Sequence, residues 1–517
     1  MKKNILYAIM LCFIVLGASA QTVSVTGTVL SATDSEPLIG VTVASSTSKS
    51  LGTTTDLDGN FSISVPEGSD LTFSYIGFIT QTLKATPQMR VVLKEDAEMI
   101  SELVVVGYST EKKSDLTGSV SVVKMKDVAD TPTGNVIQSL QGRIPGMTIT
   151  TDGTPGGLST GTSIRGASSF RGDANGPLYV IDGVMTRENP GTIINSNDVE
   201  SIQVLKDASS AAIYGAQAAN GVIIITTKKA KRGETHVTFD TTVTLQTYQS
   251  GLDLLNADQW GDVYWSAYKY AHDGSTPSSA IYGSDPTPKL QTYKNLNLTD
   301  VLPQSTDWQS EIHRPAWMQT YSVGLQKGSD NGSSALSLSY LDHDGIVKGS
   351  DFQRVNTRFS SDYGFLNNRL KAGGNVAINW WKAHYMPGGA EENAVKQHPA
   401  KAIYDAEGEY VEQISDVLGD TPNIMRQIED SKNDKHDYWR VFGNAYLQIE
   451  PIRDLILRTN FGVNYYNQTI KTFQPRTLRD PKNSITQSMG KNVDWVWSNT
   501  AQYDLMVGSH SVMALAG

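Results

Sequence analysis

The sequence predicts a mainly β chain in three parts: a small β-sandwich, a compact α/β unit, and an incomplete antiparallel barrel of the transmembrane kind. Three observations predict it. Residues 22–95 place short β-rich runs about eight to twelve residues apart, with turn residues between them. Residues 117–230 consist largely of small residues, glycines and short apolar runs. From residue 235 to 517 apolar and polar residues alternate with a period of two, and the joins between runs are very unequal. A small globular unit feeding into many amphipathic strands suggests a plug inside a membrane barrel.

At 517 residues the chain should form about three or four domains. Residues 1–20 read as an export signal, with Lys2 and Lys3, an apolar run from Ile5 to Leu16, and Ala18-Ser19-Ala20 ahead of a cut between Ala20 and Gln21. That run is too short to span a bilayer. Cys12 is the sole cysteine and lies in this signal, so no disulfide, thiolate metal site or cysteine nucleophile is expected after it. The net charge of −10 argues against nucleic acid, which needs clustered lysine and arginine. No later window is apolar over about eighteen residues, so membrane helices are not expected.

In the first domain, strands are expected near 23–30, 41–45, 60–65, 71–75 and 90–93, with Asp58-Gly59 making a tight turn. GTVLSATDSEPLIGVTV and TTTDLDGNFSISVPEGSDLTFSYIGF resemble the carboxypeptidase-regulatory-like domain, a transthyretin-like sandwich. A peptidase is not implied, because no HxxE or HExxH zinc spacing occurs. Asp56, Asp58, Asn60 and Glu67 take the first, third, fifth and twelfth places of a calcium loop, but Gly59 comes fourth instead of sixth and 61–65 alternates as a strand. No calcium site is expected there.

Residues 96–116 form a linker holding a β-prone run, Leu103 to Gly107, between charged flanks. It reads either as one more strand of a neighbouring domain or as a segment free to pair with a partner's sheet edge. In the α/β unit, 136–141 is expected to be helical and to stop at Pro145-Gly146. Residues 178–181 make a buried strand closed by Asp182-Gly183. Asp207 is expected to cap a short helix over 208–214 that ends at Gly215, and Asn220-Gly221 turns into a strand at 222–227. The glycines between 153 and 183 follow neither GxGxxG nor GxxxxGK[ST], so they point to close packing and not to a phosphate cradle.

About nine further strands are expected, near 235–247, 317–328, 334–342, 352–364, 369–381, 438–450, 454–467, 491–506 and 510–517. Val237, Phe239, Val243 and Leu245 share one face of the first; Leu457, Phe461, Val463 and Tyr465 share one face of the seventh. Joins at 329–333, 365–368, 451–453 and 507–509 are short, and those at 248–316, 382–437 and 468–490 are long. The join at 345–350 is the short exception on the long side. Short turns at one end and long loops at the other are the outer-membrane barrel pattern. Trp317, Tyr321, Tyr340, Trp380, Trp381, Trp439, Tyr465 and Trp495 lie where interfacial aromatic girdles are expected.

ELVVVGYSTEKKSDLTGSVSVV, SLQGRIPGMTI, GPLYVIDGV, VLKDASSAAIYGAQAANGVIIITTK and YLDHDGIVKGSDFQRVNTR occur here in one order. Together they resemble the SusC/RagA type of TonB-dependent outer-membrane transporter, over essentially every residue after the signal. The resemblance implies a 22-stranded barrel set in outer-membrane lipid of a Gram-negative bacterium, a plug, and a SusD-like lipoprotein lid. It implies that Glu102, Leu103, Val104, Val105, Val106, Gly107 and Tyr108 contact TonB; the family commonly has glycine where Ser109 stands. The plug motifs carried over are Arg165-Gly166, Asp182-Gly183, Tyr214-Gly215 and Asn220-Gly221. Nine strands fall short of 22, and the chain stops at Gly517 inside an expected strand, so a fragment or a truncated reading frame is expected.

The implied activity is import of a bulky nutrient, glycan oligomers ahead of peptides. TonB and its inner-membrane energising complex would supply the work, since no nucleotide motif is present to supply it locally. No catalytic residue, metal or cofactor is expected: the eight histidines are scattered and no GxSxG occurs. The rival readings are a TonB-dependent signal-transducing receptor, which would carry a further domain ahead of the sandwich, and a surface adhesin built of β-sandwiches.

Overall fold

A computed structural model describes residues 22–517 apart from 33–35, 46–50, 67, 76–77, 95–102, 107–108, 113–119, 126–127, 129–130, 132, 167–174, 208–210, 231–232, 250, 412–417, 420, 477–481 and 508–509. The expected cleavage site at Ala20 and Gln21, and Glu102, Gly107 and Tyr108, lie outside the described residues. The chain divides into two compact units, one holding the sandwich and a larger one holding the plug and the long sheet.

The sandwich has seven strands: β1 (Thr22–Ser31), β2 (Thr42–Ser45), β3 (Gly52–Thr54), β4 (Asn60–Pro66), β5 (Asp70–Ser74), β6 (Gln81–Lys84) and β7 (Gln88–Leu93). They form a three-stranded sheet, β4-β1-β7, and a four-stranded one, β3-β2-β5-β6. Alternate residues turn inward, so that Val25, Val29, Val43, Val65 and Phe73 are fully buried. The sequence reading missed β3 and β6, which are short and carry few apolar residues. Asp56 spends its carboxylate on its own turn: Oδ1 accepts from the amides of Asp58 (3.0 Å) and Asn60 (2.8 Å), while Gly59 takes φ 73°. Two more strands, β8 (Leu103–Val106) and β9 (Ser109–Lys112), pair as a separate two-stranded sheet.

The plug contains β10 (Val120–Lys124), β11 (Met147–Thr150), β12 (Gly161–Ile164), β13 (Leu178–Ile181), β14 (Val184–Thr186), β15 (Val199–Leu205) and β16 (Val222–Thr227). Five of these form a sheet in the order β10-β15-β16-β13-β14, with β13 and β16 parallel. Both faces are covered, which explains the unbroken apolar run of β16: Ile223 and Ile225 join one buried cluster, Val222 and Ile224 the other. The first expected helix is not α-helical, and the second is described only from Ala211, which is α-helical and donates its amide to the Asp207 carbonyl (3.2 Å). The first is a 3-10 turn at Gln138–Leu140. The second runs as 3-10 turns over Ala212–Ala218, with Gly215 inside it at φ 66° instead of ending it.

The wall is a nine-stranded sheet in which every neighbouring pair is antiparallel. Its strands are β17 (Thr235–Gln246), β20 (Ala316–Ser329), β21 (Gly332–Asp344), β22 (Asp351–Phe365), β23 (Leu370–His384), β24 (Lys435–Ile452), β25 (Leu455–Gln474), β26 (Ser484–Val507) and β27 (His510–Ala516). The strand pair β18 (Tyr293–Lys294) and β19 (Asp300–Val301) lies in the first long join. The alternation holds: Val237, Phe239, Leu338, Phe359 and Phe461 are exposed, and Asn356, Arg358 and Arg440 are buried on the opposite face. Trp317, Trp439 and Trp495 stand on the exposed face as expected. Trp381 does not: it is buried on the plug side, because neighbours in a strand point to opposite faces. The join expected at 468–490 shrinks to 475–483, since β25 and β26 continue well past the other strands.

The long joins have structure of their own. They carry α1 (Ala257–Ala271), α2 (Trp308–Ile312), α3 (Ala390–Lys396) and α4 (Ile424–Ser431). Asn256 and Gln259 close a reciprocal capping box on α1. Trp265, Tyr282, Tyr293, Val301 and Val411 form a core shared by the two joins. Burial pushes the Tyr293 hydroxyl up to about 12 and holds the His398 imidazole down at about 4. Among the described residues no helix is long and apolar enough to cross a membrane.

Candidate functional site

The site is the buried seam where the plug meets the wall. Its first contact starts from a turn. Asp182-Gly183 joins β13 to β14 with positive φ at both residues, 47° and 88°, as a two-residue hairpin turn demands. The turn presents the Asp182 carboxylate to Thr227 at the end of β16: Oδ1 accepts from the Thr227 amide (3.0 Å) and Oδ2 from its hydroxyl (2.7 Å). Arg358 of β22 closes the triangle, donating Nη2 to Asp182 Oδ2 at 2.9 Å and to the Thr227 hydroxyl. Both charged side chains are nine-tenths or more buried.

The second contact is the plug segment from Glu188 to Ile193. Asn189 caps a 3-10 turn at Pro190–Thr192 by accepting from the Gly191 amide. Asn135 braces the turn from behind, donating to the Gly157 carbonyl and to Asn189 Oδ1, each at 2.9 Å. A Cβ at Gly191 would come within 2.4 Å of the Asn135 side chain, so the fit requires glycine. The wall supplies four donors to this segment. Arg354 gives Nη1 to the Gly191 carbonyl, and Asn356 gives Nδ2 to the Ile193 carbonyl at 3.0 Å. Arg440 gives Nη1 to the Thr192 hydroxyl (2.6 Å) and Nη2 to Glu188 Oε2 (3.0 Å). Its guanidinium also lies 4.7 Å from the centre of the Tyr466 ring.

Further contacts continue along the seam. Gly156 donates its amide to His343 Nδ1 (2.8 Å), and a Cβ on Gly156 would strike the Phe352 ring at 2.4 Å. Gly462 of β25 makes room for Val184, whose methyls lie 3.2–3.3 Å from where its Cβ would stand. Asn197 donates to the Ser322 hydroxyl at 3.2 Å, and Lys229 pairs with Asp362 at 2.9 Å. Burial raises the Asp198 carboxyl above its usual range, against the Ser337 hydroxyl and the charges of Arg358, Lys228 and Arg354.

The expected plug motifs turn out to shape the backbone. Arg165, at φ 57°, donates its amide to the Gly146 carbonyl (2.8 Å), and Gly166 follows at φ 91°. Tyr214 is buried among Leu178, Leu205 and Ile224, beside Gly215. Asn220 donates to the Gly176 carbonyl (3.3 Å), and a Cβ at Gly221 would meet Ile164 and the Leu205 carbonyl at 3.0 Å. Of these residues Asp182 reaches the wall, at Arg358. The sequence reading named none of the three arginines nor Glu188 and Asp198. Their one sequence signal is arginine at 354, 358 and 440 on the polar face of alternating strands.

Two cavities open on the long-join side of the seam. One of about 510 Å³ lies between plug and wall, lined by Thr131, Gln138, Arg143, Thr151, Gln246 and His343 among others. The other, about 700 Å³, lies within the joins and is lined by Tyr248, Leu252, Trp260, Trp308, Gln309 and His398 among others. Among the described residues no three His, Cys, Asp or Glu side chains are grouped to hold a metal.

Comparison with known proteins bears on this arrangement. A family described as the TonB-dependent receptor plug domain matches residues 112–222, and one described as a CarboxypepD_reg-like domain matches residues 25–105. The TonB-dependent receptor SusC of Bacteroides thetaiotaomicron is 33% identical over 91% of this chain and 48% of its own length. The TonB-dependent receptor P3 of Formosa agariphila is 31% identical over 100% of this chain and 49% of its own. The solved RagAB peptide importer in its open-open state superposes with a TM-score of 0.65 at 24% identity, over 80% of this chain and 48% of that one. The chain spans about half the length of the curated relatives it matches.

Proposed function

This chain belongs to the SusC-like TonB-dependent receptors, and on that premise we propose that it serves plug-gated import of a bulky nutrient across the outer membrane. TonB supplies the work through the segment at Glu102–Tyr108, and a SusD-like surface lipoprotein covers the mouth. The substrate is a glycan oligomer in preference to a peptide. The observation that carries this reading is the plug's grip on the wall, through Asp182 and Thr227 on Arg358 and through Glu188–Ile193 on Arg354, Asn356 and Arg440. Separating a buried charge pair of this kind costs about 3–5 kcal/mol when one partner is left behind. Several such contacts hold the passage closed at rest, so passage needs work from outside. The β-prone run of β8 gives that work a handle, since an extended segment can add to a partner's sheet edge.

Deleting residues 101–110 from the full-length protein tests the reading. Uptake should be lost while ligand still binds at the cell surface. Uptake at the unaltered rate would refute the role of this segment.

A further inference from the structure

Among the described residues, every countercharge to Arg354, Arg358 and Arg440 comes from the plug. Asp182 pairs with Arg358 and Glu188 with Arg440, and buried Asp198 feels the charges of Arg358 and Arg354. The wall itself offers them none nearby. From the row of Arg354 to the row of Arg358, the other plug-facing side chains of β20–β25 are neutral, among them Ser339, Asn379, Trp381 and Asn464. In the same rows the plug-facing carboxylates are at the flanks, Asp240 on β17 and Asp494 on β26. Arg354 and Arg440 are almost wholly buried, and each has an Nε with no acceptor. These guanidiniums are thus only partly satisfied by the plug.

Above them lies the cavity of about 510 Å³ between plug and wall. Its lining is hydroxyl, amide, guanidinium and imidazole, with no apolar side chain. Small-molecule pockets are mostly lined by hydrophobic and aromatic side chains, whereas here the side chains are polar and only methyl and methylene groups between them are apolar. His343, in that lining, is one inward-facing row from Arg354, since it pairs with Phe352. Arg440 stands in the row of Asn379 and Asn356, and Arg358 one row further on. Arg354 and Arg358 are therefore roughly 13 Å apart along the strand, at about 3.3 Å per residue.

We infer that the imported substrate is an acidic oligosaccharide, held first in the hydroxyl- and amide-lined cavity and then passed along Arg354, Arg440 and Arg358 as the plug's carboxylates withdraw. This rests on the import reading above and adds the charge of the cargo. A plug that moves aside leaves three cations on a low-dielectric wall, and a passing carboxylate or sulfate takes the place of each departing acid. A run of one sign also concentrates the field in the passage.

The test uses the full-length protein in planar bilayers, with the plug displaced by urea and its loss followed by tryptophan fluorescence. The opened pore should prefer chloride to potassium. Hexagalacturonate should block it at a concentration about tenfold lower than maltohexaose, a difference of about 1.4 kcal/mol. Joint Arg354→Gln and Arg440→Gln should abolish that difference, so that the two hexasaccharides block at the same concentration. Joint Arg354→Lys and Arg440→Lys, which keeps the charge, should retain most of it. A non-selective or potassium-selective pore, or equal block by the two hexasaccharides, overturns the inference. Block by hexaglutamate but not hexagalacturonate overturns it in favour of an acidic peptide. A displaced plug with no conductance refutes the import reading itself, and this inference with it.

Discussion

At the scale of single residues, Asp182 and Asp198 do opposite things with the same chemistry. Asp182 has a full set of donors around it, so Asp182→Asn should strand Arg358 in a buried setting and weaken the seated plug by about 3–5 kcal/mol. A lower urea midpoint for the plug, together with leakage of small antibiotics into cells, would report it. Asp198 is held at a raised pKa chiefly by burial. The seated plug therefore favours the protonated acid, and the ionised form costs stability above the folded pKa. That cost fades as pH falls toward the unfolded value of 3.8. Asp198→Asn should raise the plug's urea midpoint near about pH 7.5, with a gap that narrows on acidification; a lowered midpoint there would contradict it. Asp182 was legible in the sequence as a turn residue because Asp-Gly is a local signal. Its ion pair was not, since Arg358 lies 176 positions away and nothing local ties the two.

Among elements, the wall was the most legible part and the plug the least. Strand alternation is set by whichever medium touches each face, so β22 could be read in register from Phe359 outward and Arg358 inward. Trp381 misled, because an aromatic near a strand end looks like a girdle residue whichever way it points; only the pairing of Arg354 with Trp381 fixes its side. In the plug, Gly215 looks like a helix stop but serves inside a 3-10 run, where its positive φ bends the chain. The long joins looked like plain loops, yet α1 and its capping box were spelled out by Asn256 and Gln259. These joins should also respond to acid. His398 is buried neutral, with its pKa held down at about 4, so its contribution is intact above about 6.5 and is lost as pH falls through about 4. Limited proteolysis within residues 385–434 should accelerate over that window, and His398→Gln should remove most of the pH dependence.

For the whole molecule, the question is whether plug and wall must part. The only cysteine is Cys12, so after the expected signal the chain is a clean background for a crosslink. Val184→Cys with Gly462→Cys places two thiols close together, because a Val184 methyl already lies 3.2 Å from the point that a Cβ on Gly462 would occupy. The oxidised pair should stop uptake, and reductant should restore it; full uptake by the oxidised protein would mean that β14 and β25 stay together during transport. The arrangement of the plug sheet also says where yielding starts. The chain reaches the plug at β10, an edge strand joined to β15 by five residue pairs, from Val120 with Leu205 to Lys124 with Ser201. The grips on the wall hang from other places: the turn after β13, the segment around Pro190, and the end of β16. A tug from the amino-terminal side thus loads a short zip-fastener before it loads any anchor. The plug has a mechanical fuse, able to give way while the rest of the stopper is still seated.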